Sequence, residues 1–275
     1  MNITDEKGYL IVASNNSTVD YIQCARVLAK SIKLFMPGAK VCLLTDDASI
    51  EHDIFDYVNV FPYGDVSDTE WKLNNDWQVF DASPFRETIK IEADMIVTSD
   101  IGHWWTMLRH RDVVITMGCR NFKNEISYNR YYRKIFDINC LPDVYNAITY
   151  WRLSKVAKEF FGLVRNIFEN WDGYKLLLIG GTNEAATTDV VYAMAAVILG
   201  VEKVTLPKTT YPSLIHMKSR INNITDADWT NQLVWEISNH DFRINTVSQQ
   251  YPVHYHNKDF AKTIEPIYDK LLGSS

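Results

Sequence analysis

The sequence predicts an α/β fold in which a central, mostly parallel sheet is flanked by helices. Two observations predict it. The N-terminal segment reads as strand, helix, strand and strand with short connections, and the second half carries amphipathic helices after further short apolar runs. A strand–helix–strand unit of this kind makes a right-handed crossover between parallel strands.

The elements follow in order. "GYLIVASNN" (8–16) is an apolar run closed by polar turn residues, a buried strand. The helix after it is capped by Ser17, carries Ile22, Ala25, Leu28, Ala29 and Ile32 on one face, and stops at Pro37 and Gly38. "KVCLLTDD" and "YVNVFPYG" are the next strands, and "DVVITMGC" is another. Val156, Phe160, Phe161, Val164 and Ile167 recur at helical spacing, and "TTDVVYAMAAVILG" is an apolar helix closed by Gly200. Open parallel sheets bind ligands at the carboxyl ends of their strands, where Asn15, Asn16, Asp46 and Asp47 fall. Neither GxGxxG after the first strand nor GxxxxGK[ST] occurs, which argues against a dinucleotide site or a P-loop.

The 275 residues are 47% hydrophobic and 23% charged, the composition of a folded chain. A net charge of -6 weighs against gripping nucleic acid through global charge, though not against a local basic strip. The 4 cysteines lie far apart without a CxxC pair, so a reducing cytoplasm fits better than a disulfide or zinc framework. The N-terminus predicts neither export nor membrane insertion, and nothing suggests an obligate protein partner. One domain is expected over 1–272, with Gly273, Ser274 and Ser275 a cloning remnant.

Glu92 and Asp94 interrupt an apolar strand pattern of Ile89, Ile91, Met95, Ile96 and Val97. Carboxylates near a core need a partner, a cation or a metal. In extended chain, residues two apart point the same way, so both can reach one ion. Oxygen ligands suit Mg²⁺ or Mn²⁺, which keep positions open for phosphate and can neutralise a diphosphate leaving group. The same spacing also fits a salt bridge to Lys90 or Arg86 beside a solvated carboxylate. Late in the chain, "YPVHYHNKDF" sets His254 and His256 two apart with Lys258 behind, a possible metal ligand beside a possible phosphate contact. One surface and one core histidine would explain them as well.

"RNFKNEISYNRYYRKIF" (120–136) interleaves Arg120, Lys123, Arg130, Arg133 and Lys134 with Phe122, Tyr128, Tyr131, Tyr132 and Phe136. Cations can hold phosphates while rings stack on an exposed base, which a duplex must flip out. An amphipathic helix with core rings and solvated cations is the plainer alternative. Asp189 is either a helix N-terminal charge or a general base or hydroxyl acceptor. Trp104 and Trp105 could close over a sugar or fill the core.

Taken together, the strand–helix–strand start, "KIEADMIV", the late His/Lys segment, "LAKSIKLFMPGAKVCLLTDD" and "YNAITYWRLSKVAKEFF" resemble the GT-A nucleotide-sugar glycosyltransferases of family 8 over nearly the whole chain. The resemblance implies a nucleotide-binding half at about 1–105, an acceptor half at about 106–272, a UDP-sugar donor and Mn²⁺ or Mg²⁺. It puts Glu92 and Asp94 at the DxD positions and His254 or His256 as third ligand. Asn15, Tyr21 and Asp46 would lie near the nucleotide, and Lys90 and Asn146 near the sugar or acceptor; Lys258, read above as a phosphate contact, and Asp189, read above as a base or hydroxyl acceptor, complete the cofactor-binding and catalytic candidates. The first acid is Glu rather than Asp, and the family's glycine-containing ending after the histidine is absent.

"SPFRETIKIEADMI" is also similar to phage-encoded sugar transferases, some of which place glucose or arabinose on hydroxymethylcytosine in DNA. That resemblance implies action on DNA in the host cytoplasm, an acceptor that Arg120, Lys123, Arg130, Tyr131, Arg133 and Lys134 of the basic-aromatic strip would suit. A glycan or small molecule is the other acceptor class. A sugar nucleotidylyltransferase would need a glycine-rich basic loop where "ASNNSTVDY" stands. A non-catalytic nucleotide-sugar-binding module is the third reading.

Overall fold

The computed structural model describes residues 3–67, 71–180, 185–225 and 228–273, so Ser274 and Ser275 of the expected remnant lie outside it. Strands β1 (Asp5–Val12), β2 (Val41–Thr45), β3 (Tyr57–Val60) and β4 (Phe85–Glu92) come first, followed by the short β5 (Met95–Ile96). Then come β6 (Val113–Met117) and β7 (Val144–Arg152). One sheet takes the order β3-β2-β1-β4-β7-β6, with β7 antiparallel to both of its neighbours and the other pairings parallel. This is the mostly parallel α/β sheet that the sequence predicts.

Helix α1 (Tyr21–Phe35) crosses from β1 to β2, and α2 (Lys155–Glu169), α3 (Thr188–Leu199) and α4 (Asp259–Gly273) complete the layers. Successive strand residues point to opposite faces. Tyr9 and Ile11 accordingly enter a core shared with α1 and α4, while Leu10 enters a second core shared with α2 and α3. Helices on both faces explain why the strands read as unbroken apolar runs. All five predicted α1 core residues are buried. Val156 of α2 is only partly buried, and Ala157 takes the inward position instead.

The cap of α1 differs from expectation. Asp20, not Ser17, is the N-cap, and its carboxylate accepts the Gln23 amide at 2.9 Å. Asn15 Oδ1 accepts a second free amide, from Ile22, at 3.0 Å. Two orphan donors are thus satisfied before the helix begins. Trp104 and Trp105 are buried in the core on Tyr211, Tyr9 and Tyr150. Cys24, Cys42 and Cys119 are buried, Cys140 is exposed, and all four are free thiols. Among the described residues, no helix is long and apolar enough to cross a membrane.

The remaining strands are β8 (Ile215–His216), β9 (Trp235–Ile237), β10 (Phe242–Ile244), β11 (Val247–Ser248) and β12 (Val253–His254). Of these, β12 lies between β5 and β8 in a small second sheet. That sheet returns the C-terminal part of the chain to the edge where β4 ends.

Candidate active site

Val12 and Glu92 are in register across β1 and β4, so the chain leaves both strands at one edge of the sheet. A cleft of about 270 Å³ opens there, walled by Ser14, Tyr21, Trp71, Lys72, Asp76, Lys90, Glu92 and Asp94. This is the carboxyl-end position expected for a ligand in such a sheet.

Glu92 ends β4, and Ala93 and Asp94 turn the chain into β5. Because β12 pairs antiparallel with β5, Met95 stands opposite His254. One imidazole thereby serves both acids: His254 Nε2 is 2.9 Å from Asp94 Oδ2, and Nδ1 is 3.8 Å from Glu92 Oε2. The Lys258 ammonium donates to the same Asp94 oxygen and lies 5.8 Å from the centre of the Tyr21 ring.

The electrostatics divide the two acids. Burial alone would raise Asp94, but His254 and Lys258 outweigh it and hold the carboxyl well below its usual range. For Glu92 burial wins and, with Asp94 adding to it, pushes the carboxyl up to about 7 despite His254 and Lys90. Burial would depress His254, yet Asp94 and Glu92 together raise it. Meanwhile His254 Nδ1 is buried without a hydrogen-bond partner. An orphaned nitrogen facing a carboxylate oxygen, with a second carboxylate adjacent, is a donor set that fits a divalent cation.

On its other side β12 runs parallel to β8, with His254 in register with His216. Those ring centroids are 4.8 Å apart, and His256 lies 4.5 Å from each. Burial, with neighbouring His254, keeps His216 well below its usual value and brings His256 down to about 2, so both rings are neutral. Of the two sequence candidates, His254 therefore joins Glu92 and Asp94, whereas His256 packs on His216.

The back wall centres on Asp76. Its carboxylate accepts from buried Lys90, from Asn146 Nδ2 at 2.9 Å and from the Tyr192 hydroxyl at 2.7 Å. Asn146, within β7, donates its backbone amide to Asp189 Oδ1 at 2.8 Å. Asp189 Oδ2 takes Arg133 Nη1 at 2.6 Å. Lys90, Asn146 and Asp189 thus belong to one hydrogen-bonded chain behind the cleft. Asn15 and Asp46 line a separate recess at the end of β2, and Asp46 pairs with Lys72 at 3.0 Å.

The basic-aromatic segment is mostly irregular, with helix only over Lys134–Ile138, and its first residue, Arg120, bridges to Ile215 of β8. Arg133 is turned inward, 3% exposed, against Asp143, Asp189, Phe136 and Tyr145. Arg120 bonds Ser213 and the Asn124 carbonyl, and Arg130 pairs with Asp137 and Asp143. Lys123, Tyr128, Tyr131 and Lys134 remain exposed. A second cleft, of about 620 Å³, is rimmed by Tyr131, Lys218, Ser219, Asp228 and His256. Lys218 lies 3.9 Å from the Tyr132 ring centre and Arg220 lies 4.8 Å from that of Tyr131.

Sequence reasoning missed Asp76, Tyr192, His216 and Lys218. Asp76 sits in the polar stretch "KLNNDWQ" without periodicity, so nothing local marks it as buried. "SLIHMKS", an apolar run broken by a histidine, was the available signal for His216.

No family model and no curated protein matches the chain. Solved structures do. The galactosyltransferase LgtC, in complex with donor and acceptor sugar analogs, matches with a TM-score of 0.56 at 12% identity over 98% of this chain and 96% of its own. An active-site mutant of LgtC gives 0.54 over the same shares. The glycosyltransferase GlyE of Streptococcus pneumoniae TIGR4 gives 0.46 at 12% identity, with 74% of this chain spanning 45% of that one. The shared GT-A fold rests on the LgtC match.

Proposed function

We propose that the chain is a metal-dependent glycosyltransferase that moves a sugar from a UDP-sugar to an acceptor hydroxyl. The observation that carries this reading is the convergence of Glu92, Asp94 and His254 at the cleft mouth, with His254 Nδ1 buried and unpartnered. Those three residues would hold Mn²⁺ or Mg²⁺, which supplies charge neutralisation for the departing diphosphate. LgtC, of the same fold, was solved with donor and acceptor sugar analogs.

The chain's own groups have separable tasks in this reading. Lys258, beside Asp94 and the Tyr21 ring, would contact a phosphate oxygen. Tyr21 and Trp71 supply ring faces along the cleft for the nucleotide base. The Asp76 network fixes Lys90 in the cleft wall that would face the sugar, with Asn146 buried behind it. Asp189, held by Asn146 and Arg133, accepts from a sugar hydroxyl at the back of the cleft.

For the acceptor, we place hydroxymethylcytosine in phage DNA at the second cleft. Tyr131 and Lys218 rim that cleft, and each makes a cation–ring pair, Tyr131 with Arg220 and Lys218 with Tyr132, the combination that suits a base and its phosphates. A glycan or small molecule would use the same rings. Because Arg133, Arg120 and Arg130 are paired internally, Lys123, Lys134, Lys218 and Arg220 are left as the phosphate contacts. A nucleotidylyltransferase is disfavoured by residues 13–21, which offer no glycine and no cation.

The test is UDP release from a panel of UDP-sugars with Mn²⁺, with and without hydroxymethylcytosine DNA, beside an Asp94→Ala variant. DNA-stimulated release that disappears in the variant supports the full reading. Release indifferent to DNA removes the DNA acceptor, and absence of both turnover and nucleotide binding removes the transferase.

A further inference from the structure

Three imidazoles meet beside the carboxylate pair, and the transferase reading uses one of them. One ring nitrogen from each of His216, His254 and His256 falls within 4.8 Å of the others. His256 Nε2 and His216 Nδ1 are 3.1 Å apart. Two Zn–N bonds of about 2.1 Å span roughly 3.4 Å at a tetrahedral angle, so the spacing of this pair suits one ion once the near-parallel rings, 27° apart, turn both nitrogens toward it. The backbone supports a built arrangement. His256 sits at φ 62°, in the left-handed region that non-glycine residues rarely adopt, with its ring centroid 4.5 Å from that of His216. Hydrogen bonding within β12–β8 fixes the other two rings in register.

We propose that His216, His254 and His256 form a nitrogen-donor site for a borderline transition metal of the Zn²⁺/Co²⁺ class. Imidazole sets favour such ions, whereas two carboxylates and one imidazole suit Mn²⁺ or Mg²⁺. A neutral imidazole has one lone pair to give, so His254 serves one ion at a time. The two sites are therefore mutually exclusive, and a Zn²⁺-class ion displaces the harder cation. The nitrogen site stands on geometry that does not depend on the transferase reading; the competition is where the two meet.

The experiment titrates the metal-free chain with Co²⁺, followed by visible absorption, and with Mn²⁺, followed by electron paramagnetic resonance. Co²⁺ should bind with nitrogen-ligand bands and release bound Mn²⁺. His216→Ala should weaken Co²⁺ at least about tenfold and leave Mn²⁺ affinity unchanged. His256→Gly, whose backbone suits the left-handed position, should weaken Co²⁺ in the same way and guards against a folding defect in the first variant. Unchanged Co²⁺ affinity in both variants overturns the site, and Co²⁺ and Mn²⁺ bound together overturns the exclusivity. Mn²⁺ binding indifferent to Asp94→Ala would count against the carboxylate site and leave the nitrogen site standing.

Discussion

His254 Nδ1 faces Glu92 Oε2 across 3.8 Å with no hydrogen-bond partner, while Nε2 of the same ring is 2.9 Å from Asp94. A buried imidazole nitrogen left without a partner beside a carboxylate is costly unless something fills the gap.

Asp94→Ala and His254→Ala should each weaken Mn²⁺ at least about tenfold, the scale on which metal sites respond to losing supporting groups. Asp94→Ala also leaves Lys258 without its carboxylate. Isothermal titration with Mn²⁺ and then with UDP reads both effects. Wild-type affinity in both variants would remove the carboxylate site.

Asp76 is a structural keystone behind the cleft. Lys90, 1% exposed, depends on it for charge, and Tyr192 and Asn146 depend on it for hydrogen bonds. Breaking a buried pair from one side costs about 3–5 kcal/mol because the remaining charge is uncompensated. Asp76→Ala should therefore lower stability by that amount in urea denaturation. Replacing both partners, Asp76→Leu with Lys90→Met, should recover a large part of the loss.

At the start of α1, Asp20 accepts the Gln23 amide. Removing a cap of this kind costs about 1 kcal/mol. Asp20→Ala should show that loss in urea denaturation, and Asp20→Ser should restore most of it. An Asp20→Ala variant as stable as wild type would mean that Asn15, bonded to the next amide back, caps the helix alone.

How legible this was depends on where each signal sits in the chain. The strands of the main sheet announce themselves because helices cover both faces, which leaves apolar runs such as "YLIV" and "VCLL". Glu92 and Asp94 are legible for the opposite reason, as charges inside such a run. Choosing His254 over His256 needs the β5–β12 register, which no local pattern encodes. Asp76 is hidden because its partners Lys90, Asn146 and Tyr192 are distant in sequence and meet only after the sheet and α3 assemble. The basic strip misleads because alternating Arg and Tyr reads alike whether the guanidinium faces solvent or, as for Arg133, packs between two rings.

Asp56 contributes one pH-dependent share of the stability. Burial, the largest single influence, would raise its carboxyl, but Lys33, the Val41 amide and Lys40 together lower it below 3.8. A carboxyl lowered on folding contributes stability above its unfolded value, and that contribution fades as pH falls through the folded one. Hydrogen bonds to a charged group are worth about 1.5–3 kcal/mol, and Asp56 is 18% exposed, so little of this is lost to solvent screening. Asp56→Asn should therefore be less stable than wild type at neutral pH by roughly that amount. The gap should narrow as pH drops below the ordinary aspartate value of 3.8 and the wild-type carboxyl takes up its proton. Urea denaturation of both proteins between pH 7 and pH 3 measures it, and a difference that stayed constant across the range would show that charge on Asp56 is not what ties β2 to α1.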